Sequence, residues 1–263
     1  MEDRATEELT ILGTTRCLLL PLSMLWLCDG MNILAYITEW TLFAVYFAEA
    51  YAWSSSTLTG AAQMAGDLLA AAILALTTTK LWARLLRAAG ATRALDRSIL
   101  QPPWNLGVFF AAYAATFAML AQPAFVVSVI GQVLMGTVYV FNKQAILECY
   151  VSVSHGSLSL FRKIEFVGSM SFNLCMAAAS LLAVLAYELI SITAPFYFVS
   201  ALSGVWAVVV VGYFWLRLRG RMGESFAAAE LSLLKERISR TERTATGTTI
   251  TRSRIHLYSV STK

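Results

Sequence analysis

Six long apolar segments follow one another along the chain, and each is close to the length of a membrane-spanning helix. None alternates polar and apolar residues as the strands of a transmembrane barrel do, so the segments predict helices. Prolines mark several boundaries, since Pro103 and Pro123 precede the third and fourth segments and Pro195 lies in the first turn of the sixth. A proline is tolerated at a helix start because its missing N–H has no partner there. The predicted spans are about 18–45, 55–78, 104–121, 124–147, 164–187 and 191–216.

The composition agrees with a protein that lies in lipid. Of its 263 residues, 58% are hydrophobic and 14% are charged. Soluble domains have about 45–50% apolar and about 25% charged residues. The mean hydropathy of +0.65 points the same way. These values exclude a soluble enzyme, and the predicted fold class is an all-α membrane protein with a bundle of six transmembrane helices.

Apart from Lys143, lysine and arginine lie in alternate connections between the predicted spans and at the two ends of the chain. The loops near 46–54, 122–123 and 188–190 contain none, whereas the loops at 79–103 and 148–163 and both ends of the chain contain basic residues. Because cytoplasmic loops carry the excess of basic residues, this alternation predicts that both termini are cytoplasmic. Charge segregated in this way orients a membrane protein and does not mark a nucleic-acid interface. The pattern does not identify the membrane.

The chain divides into three parts by composition. Residues 1–16 form an acidic leader without a cleavage site, 17–220 form the membrane domain, and 221–263 form a polar cytoplasmic tail. Apolar residues share one face of a helix over 224–240, which predicts a short amphipathic helix on the membrane or on the protein. The Thr-, Ser- and Arg-rich remainder, 241–263, is predicted to be disordered.

Polar residues inside the spans are the strongest indication of function. A charged group at membrane depth is costly and normally faces a cavity or a partner. The first, second and fourth predicted helices each carry polar residues on one face, and three such faces predict a central aqueous cavity. The candidate residues for substrate binding or proton coupling are Asp29, Asn32, Tyr36, Glu39, Gln63, Asp67, Gln132, Tyr139 and Lys143.

Each charged candidate also has a structural interpretation. Asp29 lies deep in its span, where ligand or proton chemistry and a fixed hydrogen bond between helices are equally compatible with the sequence. Glu39 lies nearer the outer boundary, which favours a solvated role over a cavity role. Asp67 lies in mid-span and is a candidate partner for Lys143, although that lysine could equally extend to the lipid headgroups.

Small residues and cysteines are assigned to packing. Small side chains recur on one face of the third helix and in the sixth, which predicts close helix contacts; they are Gly107, Ala111, Ala114, Ala118, Ser200 and Gly204. The cysteines lack the spacing of metal ligands and are interpreted as small buried hydrophobes; they are Cys17, Cys28, Cys149 and Cys175.

Motifs for enzyme chemistry are missing from the sequence. There is no phosphate-binding glycine loop, no Gly-x-Ser-x-Gly and no His-Glu-x-x-His. The two histidines, His155 and His256, have no acidic or cysteine partner at ligand spacing. The sequence therefore predicts a protein that is not an enzyme and has no metal or cofactor.

Several short segments occur in a characteristic order. Cys28-Asp29-Gly30-Met31-Asn32 lies in the first helix, and an aromatic residue followed by Ser, Trp53-Ser54, precedes the glycine-bearing second helix. A basic loop follows the second helix, His155-Gly156 precedes the fifth, and Ala194-Pro195-Phe196-Tyr197 opens the sixth. Over about 17–220 this order and spacing resemble one six-helix half of the major facilitator superfamily of secondary transporters.

One loop departs from the family pattern. The segment from Lys80 to Gly90 keeps the basic residues and one glycine, but Ala83 stands where the family has an acidic residue. Such changes are commoner in the second halves of these transporters, and the long cytoplasmic tail also resembles a carboxyl-terminal half.

The resemblance implies transport of a small solute by alternating access, with a cavity carboxylate available for proton coupling. It implies as partners the lipid bilayer, a small-molecule or ion substrate, and a second copy or a second six-helix half. The alternative is a non-transporting six-helix scaffold or assembly subunit. An unrelated channel is disfavoured because the sequence shows neither a re-entrant filter segment nor a charge ladder on one helix.

Overall fold

The computed structural model describes residues 2–52, 56–77, 103–154, 158–218 and 232. Within these ranges the chain forms six helices and no strands, so the prediction of an all-helical fold is confirmed for this part of the chain. The described part of each predicted span lies largely on a helix of its own. The helices are α1 (Glu2–Tyr51), α2 (Ser56–Thr77), α3 (Trp104–Leu120), α4 (Phe125–Val153), α5 (Leu158–Leu189) and α6 (Ala194–Arg217).

Four of these helices are long and apolar enough to cross a membrane, namely α1 from Pro21 onward, α4, α5 and α6. The apolar stretches of the other two helices are shorter, Gly60–Leu76 in α2 and Trp104–Leu120 in α3. Seventeen residues of helix span about 25 Å, somewhat less than a hydrocarbon core of about 30 Å. The described residues are therefore consistent with an integral membrane protein.

Three helices extend further than their predicted spans, and one of them, α5, begins at Leu158, six residues before the predicted start near 164. Helix α1 runs from Glu2 through Pro21 to Tyr51 and ends where Ala52 adopts a left-handed conformation with a φ of 55°. Helix α4 continues to Val153, beyond the predicted limit near 147. Hydropathy marks only the apolar part of a helix, whereas the backbone hydrogen bonds continue into more polar sequence. The predicted spans therefore locate the helices along the chain more accurately than they locate the helix ends.

Helices α1, α3, α4 and α6 form the centre of the bundle, in which α1 packs on α4 and α6 while α3 packs on α4 and α6. The two remaining helices lie outside this centre, with α2 against α4 and α5 against α1. Exchanging α1 with α4, α2 with α5 and α3 with α6 reproduces these main contacts. The main helix contacts are thus symmetric under exchange of the first three helices with the last three.

Small residues permit the closest helix contacts. A Cβ atom on Gly66 of α2 would lie 2.5 Å from the carbonyl oxygen of Val133 and 3.0 Å from Cα of Gly136, both in α4. Between α3 and α6, the Ser200 hydroxyl donates to the Ala114 carbonyl oxygen at 2.7 Å, and Gly204 also faces Ala114. Of the small residues predicted for packing, Ala114 of α3 therefore packs against Ser200 and Gly204 of α6.

Aromatic side chains fill the core near the end of α1 and the starts of α4 and α6. The rings of Tyr46 and Phe196 have centroids 4.7 Å apart, and Phe47 meets Phe125 edge-on at 5.9 Å. The Tyr51 hydroxyl donates to the Gln122 carbonyl oxygen in the short α3–α4 connection. These contacts fix α1 relative to α4, and the polar site lies along that helix pair.

Candidate functional site

A row of polar residues on α1 faces α4 over most of the length of the contact. Asp29, Asn32 and Glu39 are buried, with 2%, 0% and 1% of their surface exposed. Tyr36 stacks on Tyr139 of α4, with ring centroids 4.1 Å apart and an interplanar angle of 20°. The polar face predicted for the first helix thus lies against the fourth, and a cavity adjoins it on each side.

The smaller cavity lies on the side of α5 and has a volume of about 80 Å³. Here the Lys143 ammonium of α4 lies 2.7 Å from the Asp29 carboxylate of α1, and it also lies 5.3 Å from the centre of the Phe172 ring. The Asp29 side chain is 3% exposed and that of Lys143 43%. A buried carboxylate is thus neutralised by a lysine that reaches it from a more exposed position. The lining of this α5-side cavity is Asp29, Lys143, Ile146, Leu147, Tyr150, Glu165 and Ser169.

Lys143 therefore pairs with Asp29, and the pairing with Asp67 considered from the sequence is not observed. The reason is the register of α2 on α4. Asp67 lies beside Gly136, since its Oδ1 is 3.3 Å from the position that a Gly136 Cβ would take. Lys143 is seven residues further along α4, or about 10 Å at 1.5 Å per residue.

A buried hydrogen-bond network separates the two cavities. Asn32 Oδ1 accepts from the Tyr113 hydroxyl at 2.6 Å and from Asn142 Nδ2 at 3.0 Å. All three residues are buried. Sequence reasoning missed Asn142, although it follows Tyr139 by three residues on the same polar face. It also missed Tyr113, because a tyrosine in an otherwise apolar helix does not by itself indicate a polar site.

The larger cavity lies on the side of α2 and has a volume of about 210 Å³. Glu39 accepts a hydrogen bond from Gln132 Nε2, while the buried Oε1 of Gln132 has no hydrogen-bond partner in the described part of the chain. Asp67 is exposed and contributes its carboxylate from α2. The lining of this α2-side cavity is Tyr36, Glu39, Trp40, Gly60, Met64, Asp67, Gln132, Met135 and Gly136.

The position of Glu39 differs from the sequence expectation. The sequence favoured a solvated carboxylate near the outer boundary, whereas Glu39 is 1% exposed and lines the α2-side cavity. The cause is the length of α1, which continues for twelve residues beyond Glu39, or about 18 Å. Trp40, which the sequence did not single out, lines the same cavity with 61% of its surface exposed.

Other predicted features fall wholly or partly outside the described residues. They are the Gln63 side chain, the loop from Lys80 to Gly90, the His155-Gly156 hinge and, apart from Ser232, the tail at 221–263. Of the cysteines, Cys28 and Cys149 are buried and Cys175 is partly buried, in agreement with a packing role for these three, while the Cys17 side chain lies outside the described residues.

No protein-family model matches the chain, and no curated protein or solved structure matches it either. The class of protein is therefore inferred from the sequence and the structure of the chain alone. Over the described residues the chain is all-helical, with four helices long and apolar enough to cross a membrane, and a row of its buried polar residues lies between two helices at the centre of the bundle.

Proposed function

We propose that the protein is a membrane transporter that moves a small solute by alternating access. In this proposal all six helices cross the membrane, the bundle is of the major facilitator type, and both termini are cytoplasmic. Helices α2 and α3 are short for a full span, and modest thinning of the bilayer around a short helix is a known accommodation.

The helix contacts support this bundle type. Each six-helix half of a major facilitator transporter contains two inverted repeats of three helices. In this chain α2 packs on α4 as α5 packs on α1, and the pairs α1–α4 and α3–α6 each contact one another. This exchange symmetry is what two repeats of three helices would produce.

The observation that carries the transport proposal is the polar row between two cavities. From Asp29 to Glu39 the row extends over ten residues of α1, or about 15 Å, which is half of a hydrocarbon core of about 30 Å. A polar row of this length is costly inside a membrane unless it serves a solute or ion path. The two cavities lie on opposite flanks of the row, against α2 and α5.

The exposed part of the α2-side cavity supports a second bundle as partner. Asp67 is exposed in the middle of α2, and Trp40 of α1 is exposed nearby. A carboxylate facing lipid is unfavourable, so a second copy or a second six-helix half is expected to cover this opening. Alternating access then occurs as one bundle rocks against the other.

Accessibility of the α2-side cavity from the two sides of the membrane tests this proposal without knowledge of the solute. Gly60 lines the cavity, and a Cβ atom there would meet no atom within 4 Å, so Gly60→Cys is expected to fold normally. A membrane-impermeant maleimide is applied to right-side-out and to inside-out vesicles. Alternating access predicts labelling of Gly60→Cys in both, whereas a static scaffold predicts labelling in at most one.

Two control variants calibrate the labelling. Ile190→Cys, with 76% of the native side chain exposed, is expected to react in one vesicle orientation only. Val210→Cys, at a fully buried position, is expected to react in neither. The wild-type chain gives the background from its own cysteines. Labelling of Gly60→Cys from a single side in every condition would favour the scaffold and contradict the transporter.

A further inference from the structure

The α2-side cavity is acidic and contains no basic side chain among its described lining residues. Glu39 and Asp67 contribute carboxylates, and the other seven residues of the lining are uncharged. The α5-side cavity differs, because Lys143 there neutralises Asp29. Two carboxylates around one small cavity within a membrane favour a cation inside it.

The α5-side cavity shows how this protein holds an ammonium group. The Lys143 ammonium donates to a carboxylate at 2.7 Å and lies 5.3 Å from the centre of an aromatic ring, that of Phe172. The α2-side cavity offers the same two kinds of group, since its carboxylates are accompanied by the rings of Tyr36 and Trp40. Aromatic faces attract cations, and tryptophan does so most strongly.

Gln132 provides a second, independent indication of a ligand. It is 1% exposed and lines the cavity, and its Nε2 donates to Glu39. Its Oε1 has no hydrogen-bond partner within the described ranges. A buried acceptor without a partner is unfavourable, and an N–H donor in the cavity would satisfy it. The carboxylates of Glu39 and Asp67 and the Oε1 of Gln132 therefore favour a cation with hydrogens on nitrogen.

We propose that the α2-side cavity binds a small primary ammonium ion, held by Glu39 and Asp67 with its apolar part against Tyr36 and Trp40. A water molecule takes about 30 Å³ of liquid, so the cavity volume of about 210 Å³ suits a ligand of about five to seven non-hydrogen atoms. The ammonium ion is then the substrate of the proposed transporter, and this role rests on the proposed function. Binding of the ion to the cavity is measured separately from transport.

Calorimetric titration of the full chain in lipid nanodiscs tests the proposal, with n-butylammonium as the probe. Saturable binding is expected, and Glu39→Gln and Asp67→Asn should each weaken it about tenfold or more, because each removes a charge-assisted hydrogen bond. Tetramethylammonium, which has no N–H, should bind at least tenfold more weakly. Butanol, which has no charge, should show no saturable binding.

The matched control is Glu148→Gln, which removes one negative charge at an exposed position of α4 outside the lining of either cavity. It should bind n-butylammonium like the wild type. Asp67 is exposed, so Asp67→Asn is expected to fold even if the buried Glu39→Gln does not. The proposal is overturned if the folded wild type shows no saturable binding, if Asp67→Asn binds as tightly as the wild type, or if tetramethylammonium binds equally well.

The result also separates this inference from the transport proposal. Binding of n-butylammonium together with one-sided labelling of Gly60→Cys would retain the cation site and reject alternating access. Two-sided labelling without binding of n-butylammonium would retain the transporter and reject the cation site.

Discussion

The two cavities beside the α1–α4 contact are built from equivalent helices but treat their carboxylates differently. In the α5-side cavity, Asp29 is paired with a lysine of the same chain. In the α2-side cavity, Glu39 is held by the neutral amide of Gln132, and Asp67 has neither a hydrogen bond nor an ion pair in the described part of the chain. One cavity contains its own ammonium group, and the other has the volume to admit one from outside.

This difference separates structural charge from charge available to a ligand. A carboxylate already bound to a lysine stabilises the bundle only while that lysine remains in place, since its removal leaves an uncompensated buried charge. The carboxylates of the α2-side cavity share it with no basic side chain among the described lining residues. The sequence placed Asp29, Glu39 and Asp67 in one group of candidates, and their contacts divide that group in two.

The largest expected effect comes from removing the internal cation. Lys143→Met leaves the buried Asp29 carboxylate without its lysine and should lower the free energy of unfolding by about 3 kcal/mol, the lower end of the usual range because Lys143 is partly exposed. Thermal unfolding in detergent measures this loss. The double variant with Asp29→Asn should recover most of it. Equal stability of Lys143→Met and the wild type would show that the pair contributes nothing.

The next effect concerns the α2–α4 contact that closes the larger cavity. Gly66→Ala places a Cβ atom 2.5 Å from the Val133 carbonyl oxygen and should force α2 away from α4, at a cost of about 2 kcal/mol in the free energy of unfolding. A Cβ atom at Gly60 on the same helix would meet no atom within 4 Å, so the change in the free energy of unfolding of Gly60→Ala reflects the gain in helix propensity alone. If both alanine variants unfold at the same temperature, the close contact between α2 and α4 is wrong.

A lysine introduced into the larger cavity should make it resemble the smaller one. Met64 lines the α2-side cavity and precedes Asp67 by three residues of helix, a spacing at which the two side chains can pair. Met64→Lys should therefore weaken binding of n-butylammonium at least tenfold, about 1.4 kcal/mol, and change the free energy of unfolding by less than about 1 kcal/mol. Met64→Leu is the control of similar size. If Met64→Lys binds n-butylammonium as tightly as the wild type, the proposed difference between the two cavities is wrong.

The smallest effect is expected in the network between the cavities. Tyr113→Phe removes the hydroxyl that donates to Asn32 and should lower the free energy of unfolding by about 1 kcal/mol. Binding of n-butylammonium should be unchanged, because Tyr113 does not line the α2-side cavity. Tyr197→Phe, which alters an exposed tyrosine of α6, should leave stability unaffected. Weaker n-butylammonium binding in Tyr113→Phe would show that the network couples the site to α3.

Much of the fold followed from the order of apolar residues. In a membrane the backbone must satisfy its hydrogen bonds within each segment, so a long apolar run permits little besides a helix. That constraint explains why all six helices were predicted and why α3, between Pro103 and Ala121, was predicted almost to the residue. The ends of α1, the end of α4 and the start of α5 were missed because helical hydrogen bonding continues beyond the apolar run.

The candidate site was only partly predictable. Helical spacing grouped Asp29, Asn32, Tyr36 and Glu39 on one face of α1, because one turn of helix fixes which residues are neighbours. Pairing between helices depends on their register, and no local pattern specifies it. For this reason the partner of Lys143 and the contribution of Tyr113 appeared only with the packed bundle.

By itself the sequence determined six helices, their apolar character and the polar face of α1, since these depend on composition and on spacing within one segment. The tertiary structure alone decided that α1 and α4 meet along that face, that α2 and α5 flank it, and that two cavities result. It also decided which carboxylate has an internal cation. The physical reason is that electrostatic and hydrogen-bond energies depend on distances between atoms far apart in the chain, which close packing at residues such as Gly66 and Gly136 fixes.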